Sequence, residues 1–177
     1  MTDSESRSYS RVATRLTGYA RKIDSPDSPA LFRGHKDLLT TSGHGQPKET
    51  GLPEGVRSYL EEMNSKLDML LSLQSQRRLE SDYPIKSEIV ELSGAGLKCL
   101  QPSPPLQTGQ ALEMVLILSQ LPVTMAGVVG VVQRVEPHEQ RQEILVVEFR
   151  NVRETDREAI VHFVFREQRE HIRSAKQ

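Results

Sequence analysis

The stretch Glu91-Leu92-Ser93-Gly94-Ala95-Gly96-Leu97 decides the reading of this chain. Strand-like apolar runs flank it, Ile85 to Leu92 before and Leu97 to Leu100 after. A strand, a turn of small residues with two glycines and a second strand form a hairpin pattern. Gly94 and Gly96 permit positive φ and close backbone approach. Such a turn can present backbone N–H groups, the Ser93 hydroxyl and the Glu91 carboxylate to a phosphate or a base edge. An ordinary glycine turn satisfies the same residues.

The β pattern continues toward the C-terminus. Ala111–Leu118, Met125–Val135 and Ile144–Phe149 read as strands, punctuated by Pro102-Ser103-Pro104-Pro105, Leu121-Pro122 and Pro137-His138. Gly127 and Gly130 mark a bulge or a barrel bend. Thr155 and Glu158 have the spacing of a capping box for a final helix whose apolar face carries Ile160, Val161, Val164 and Phe165. About six strands with short connections and a closing helix predict a mainly β (α+β) fold, a small antiparallel barrel.

Toward the N-terminus, arginines stand at 7, 11 and 15. Alternation from Ala13 to Ile23 predicts a strand, with Arg11 in a lead-in segment and Arg15 at the strand start. Paired guanidinium forks suit phosphate oxygens and guanine O6/N7; three solvated arginines on a loose arm are the alternative. Residues 24–51 are rich in Pro, Ser, Asp and Gly and read as a linker, with Leu31-Phe32 docking on the core.

Residues 52–80 carry apolar residues at heptad spacing. Leu60 and Leu67 take position a; Val56, Met63 and Leu70 take position d. Leu71 and Leu73 widen the stripe beyond a two-helix seam. Self-association follows from this pattern, and an amphipathic helix lying on its own domain competes with it.

With a net charge of −1, the chain has no global basic field for DNA or RNA. A single cysteine, Cys99, excludes an internal disulfide and reads as a buried thiol. No apolar run of membrane-spanning length occurs and the N-terminus lacks a leader's apolar stretch, so a cytoplasmic location without membrane insertion is expected. His35 and His44 lack partners at metal spacing, and His138 and His162 have no nucleophile beside them, so neither a metal site nor an enzyme is expected.

At this point the sequence resembles the PilZ domain family. Arg11-Val12-Ala13-Thr14-Arg15 matches RxxxR, and Glu91-Leu92-Ser93-Gly94-Ala95-Gly96 matches D/NxSxxG with Glu in place of Asp or Asn. Gly130-Val131-Val132-Gln133-Arg134-Val135, Asp156-Arg157 and Phe163 to Arg169 resemble the rest of the barrel and its helix. The resemblance covers residues 9–23 and 84–172 and is similar to an atypical, bacterial, helix-inserted tetrameric branch. It divides the chain into an arginine arm and first strand (1–23), a linker (24–51), an inserted coiled-coil helix (52–80) and a six-stranded PilZ-like barrel with its C-terminal helix (81–177). It implies a non-catalytic receptor that holds cyclic di-GMP as ligand, without cofactor. Arg11 and Arg15 would clamp the nucleotide, with Arg7 as a second register of the arm; Glu91, Ser93 and Gly96 would hold it from the barrel. The arm would close on binding and signal to a motility, pilus or exopolysaccharide partner. A homotetramer would form through Val56, Leu60, Met63, Leu67 and Leu70. The alternative is an oligomeric scaffold that binds proteins without nucleotide.

Overall fold

The computed structural model describes residues 9–28, 30–32, 53–120, 123–138 and 142–174. Strand β1 spans Arg11–Ile23 and helix α1 spans Glu54–Asp82. Four more antiparallel pairings follow from β2 (Ile85–Ser93), β3 (Gly96–Leu100), β4 (Ala111–Gln120), β5 (Val123–Pro137) and β6 (Glu143–Asn151), and helix α2 (Glu154–Ser174) ends the chain. The strands close into a barrel in the order β1-β2-β3-β6-β5-β4. β1 seals it, lying between β2 and β4, so residues on both sides of the linker and α1 build one sheet.

Period-2 alternation explains most of this. Ile85, Ile89, Leu92, Leu97, Leu112, Met114 and Leu116 point inward with Val132, Leu145 and Val147. Ile160, Phe163 and Val164 of α2 pack on the same core. Phe165, assigned to that apolar face from sequence, is half exposed, and Phe163 takes its place. α2 begins at Glu154, so Thr155 lies inside its first turn rather than before it, and the capping box does not form there. Arg153, immediately before the helix, instead bonds the buried Asp156 carboxylate at 2.8 Å. Cys99 is buried, and burial pushes its thiol up to about 11, which keeps it protonated and inert.

β4 is buried on both faces because a second apolar cluster covers its outside: Tyr19, Phe32, Val115 and Met125 with Leu79 and Tyr83 from the end of α1. One charge lies within that cover. Glu113, almost fully buried, accepts from the Phe32 N–H (2.8 Å) and the Tyr83 hydroxyl (3.0 Å), and the Arg21 guanidinium reaches it at 2.6 Å. Burial pushes the Glu113 carboxyl upward, but the backbone N–H groups of Phe32 and Leu31, Arg21 and Tyr83 together hold it below its ordinary value. Phe32 thus docks the linker, whereas Leu31 is half exposed.

Among the described side chains of α1, those at its foot are anchored this way. Its heptad residues Val56, Leu60, Met63, Leu67 and Leu70 are 42–62% exposed. The helix runs for 29 residues, about 43 Å at 1.5 Å per residue. It therefore does not lie on its own domain, and its apolar face is left open. The side chains of Leu71 and Leu73 are outside the described residues.

Glu113→Gln keeps the shape of the side chain but leaves Arg21 facing a neutral amide. It should lower stability by about 3 kcal/mol, measured by urea unfolding at neutral pH. Because the folded carboxyl titrates below the ordinary 4.5, its contribution is complete above that value and is lost as pH falls through the lower folded pKa. The variant should therefore show a shallower acid limb than the wild type, and parallel acid limbs would contradict this role.

Candidate functional site

The turn between β2 and β3 is shaped by Ser93. Its hydroxyl donates to the Gly96 carbonyl (3.0 Å) and accepts from the N–H groups of Ala95 (3.3 Å) and Gly96 (3.2 Å). One donor and two lone pairs are thereby used inside the turn. The Ser93 hydroxyl builds the loop and is not offered to an outside group. Neither Gly94 nor Gly96 has positive φ; close approach is what requires glycine at both. A Cβ on Gly96 would stand 2.5 Å from the Val147 carbonyl oxygen of β6, and one on Gly94 would run into the Tyr9 ring.

Barrel closure brings the arginine segment to this turn. Arg11 lies opposite Ser93, and Ala13 opposite Glu91. Two irregularities surround the meeting point. The β2–β3 register shifts between Ile89 and Glu91, and the β1–β2 register shifts between Ala13 and Leu16. Bulges re-aim side chains. In the regular β1–β2 ladder from Arg11 to Ala13, Glu91 stands diagonally beside Arg11, with Nη1 to Oε1 at 3.8 Å, and the β1–β2 shift lies just beyond. That shift leaves Arg15 91% exposed and 4.0 Å from Glu88. Arg11 and Arg15 thus face different carboxylates of β2 and do not share one. Such exposed, long ion pairs are worth roughly 0–1 kcal/mol, so either guanidinium can exchange its carboxylate for a ligand anion at little cost.

Arg11 is the first residue of β1, not part of a loose lead-in, because its backbone joins the ladder opposite Ser93. Arg7 lies outside the described residues. α2 adds residues to which sequence spacing attached no role. Arg157 donates from Nη1 to the Gly94 carbonyl (2.9 Å) and stands over the Tyr9 ring. Gln168 donates to Ser10 Oγ and to the Arg11 carbonyl (2.9 Å). Asp156-Arg157 and Gln168 fall in segments that carry the resemblance, which is the one signal that could have singled them out. An open groove beside the β1 bulge is lined by Thr14, Arg15, Leu118, Phe163, Arg166 and His171. His138 and His162 are exposed, and His35 and His44 lie outside the described residues. Among the described residues no helix is long and apolar enough to cross a membrane.

Comparison with known proteins follows the same lines. The model of the PilZ domain family matches residues 65–166. No curated protein matches the chain. Among solved structures, a tetrameric PilZ domain from Xanthomonas campestris, self-assembled through a helical bundle, superposes with a TM-score of 0.55 at 17% identity, over 92% of this chain and 89% of that one. The inhibitor of motility from Bacillus subtilis (MotI/DgrA) gives a TM-score of 0.53 at 12% identity over 92% of this chain, which spans 51% of that protein's length. The PilZ domain of YcgR from Escherichia coli with c-di-GMP gives 0.42 at 17% identity over 52% of this chain and 79% of that one.

The two motif glycines should respond differently to a methyl group. Gly96→Ala meets backbone and should cost about 1–3 kcal/mol. Gly94→Ala meets a partly exposed tyrosine ring that can move, and should cost less than about 1 kcal/mol. Urea unfolding of both variants checks the order, and equal losses would count against the packing described for Gly96.

Proposed function

This chain belongs to the PilZ domain family, and on that footing we propose that it is a non-catalytic receptor for cyclic di-GMP in the bacterial cytoplasm. The observation that carries the reading is the meeting of the two motifs: Arg11 lies opposite Ser93 in the ladder, with its guanidinium 3.8 Å from Glu91. Cyclic di-GMP offers phosphodiester oxygens and guanine O6/N7 to guanidinium forks, and guanine N–H donors to a carboxylate. Arg11 and Arg15 bind the phosphates and base edges. Glu91 accepts from a guanine edge. Ser93 and Gly96 hold the turn in shape beneath the ligand. The segment before Arg11, including Arg7, closes over the nucleotide, and the altered surface is read by a motility, pilus or exopolysaccharide partner.

α1 supports a second element of the reading. Its open heptad face is suited to self-association, and a tetramer assembled through a helical bundle, as described for the Xanthomonas protein, fits a stripe that the sequence widens beyond a two-helix seam. If nucleotide does not bind, this same face makes the chain an oligomeric scaffold for protein partners.

Calorimetric titration of cyclic di-GMP into the wild type and into Arg11→Ala/Arg15→Ala tests the receptor. Heat in the wild type and a loss of at least a hundredfold in affinity in the double variant are expected. A wild type that shows neither heat nor a rise in Tm leaves the scaffold reading standing. Leu67→Asp places a charge in the apolar seam and should dissociate the oligomer, measured as mass by light scattering.

A further inference from the structure

Helix α2 presents an outer face that the barrel does not use. Ile160, Phe163 and Val164 point into the core. Phe165 and Ile172, seven residues apart and hence on one side of the helix, are 52% and 57% exposed. Val161, one turn before Phe165, is partly exposed on the same side. Gln168 completes the spacing and bonds Ser10 and the Arg11 carbonyl, which holds the helix against β1. A second stripe runs parallel, one residue further on: His162, Arg166, Arg169 and Arg173, all exposed. Arg166 stands over the Phe163 ring and reaches Glu167 at 3.6 Å, and Arg169 Nε donates to the Phe165 carbonyl (3.2 Å). Between residues 161 and 173 no acidic residue falls in either stripe. Glu158 ends the apolar stripe on its N-terminal side, and Glu170 lies beyond the arginines, away from Phe165 and Ile172.

We propose that this face of α2 docks peripherally on an anionic lipid bilayer, with Phe165 and Ile172 seated at the headgroup boundary and the arginines on lipid phosphates. Exposed apolar side chains beside a row of cations on one surface helix are the pattern of interfacial adsorption. Guanidinium forks pair with phosphate oxygens. Charge decides against a second copy of the same face, because neither stripe offers the arginines an acidic counterpart. Area decides against a protein surface: three apolar side chains fall well short of the roughly 800 Å² per partner that a specific interface buries, whereas a bilayer requires no matching shape. With a net charge of −1 the chain has no long-range attraction to such a surface, so docking depends on the local stripe and weakens with salt. The contact needs no nucleotide and stands apart from the receptor reading.

Sedimentation of the full chain with vesicles of phosphatidylglycerol and phosphatidylcholine in equal parts, at low salt and without nucleotide, tests this. Each variant is first checked for an unchanged melting profile and mass. The wild type should partition onto these vesicles about tenfold or more better than onto pure phosphatidylcholine. Phe165→Gln/Ile172→Gln should lose about tenfold or more. Arg169→Gln/Arg173→Gln should lose about twentyfold, from roughly fivefold per arginine. Arg57→Gln/Arg78→Gln removes the same charge from exposed positions of α1 and should match the wild type. Phe165→Trp introduces the chain's sole tryptophan, whose emission should shift to the blue on the anionic vesicles. Absence of wild-type binding overturns the proposal, as does an unshifted emission. A loss in the α1 variant as large as that in Arg169→Gln/Arg173→Gln would reduce the effect to bulk charge and overturn it too. Binding that survives in Phe165→Gln/Ile172→Gln would place the contact elsewhere, with the open face of α1 the next surface to test, and equally overturns it.

Discussion

A single buried carboxylate sets how the helical part of this protein stands on its barrel. Glu113 sits on the outer face of β4, and its oxygens are bonded by Arg21 of β1, the Phe32 backbone and the Tyr83 hydroxyl at the end of α1. A charge of this kind is costly to bury and tolerable only when fully paired. The pairing requires β1, the linker and the helix foot to be in place together. Phe32 then packs on Gly127 and under the Arg153 guanidinium, which reaches the start of α2. The carboxylate thereby ties β1, the linker and the foot of α1 to β4.

The consequence for α1 is mechanical. Leu79 and Tyr83 hold its last turn, and the rest of the helix projects with its heptad face open. A projecting helix of this length would be marginal alone, since helices gain most of their stability from packing an apolar face. In the proposed assembly, the face that a second copy would cover is also the face that would stabilise the helix. The foot is fixed to β1 and β4 through Tyr19, Val115 and Glu113.

β1 links this foot to the candidate site. Its C-terminal half carries Tyr19 and Arg21 to the helix foot, and its N-terminal half carries Arg11 to the turn at Ser93. Between them lies the register shift that turns Arg15 out into solvent. A strand that is a rigid seal at one end and bulged at the other can hold a barrel closed while presenting cations loosely enough to change partners. The turn opposite is the stiff side of the site, with its serine hydroxyl saturated and its second glycine pressed against β6.

Much of this was legible in the sequence, and the reason is locality. The strands, the heptad helix and the two motifs each declare themselves through spacing within a dozen or so residues, because period 2 and period 3.5 are properties of one element. Phe163 was misjudged against Phe165, since two apolar neighbours on a helix are separated only by the direction of the core. Glu113 lies in an apolar strand with nothing local to mark it as a hub; its partner Arg21 is 92 positions away. Likewise, no spacing indicates that Tyr9 covers Gly94 or that Arg157 bonds it. By itself the sequence determined the elements and the family. Tertiary structure alone decided their partners, because barrel closure and the bulges that accompany it set the register across strands, and register determines which distant side chains meet.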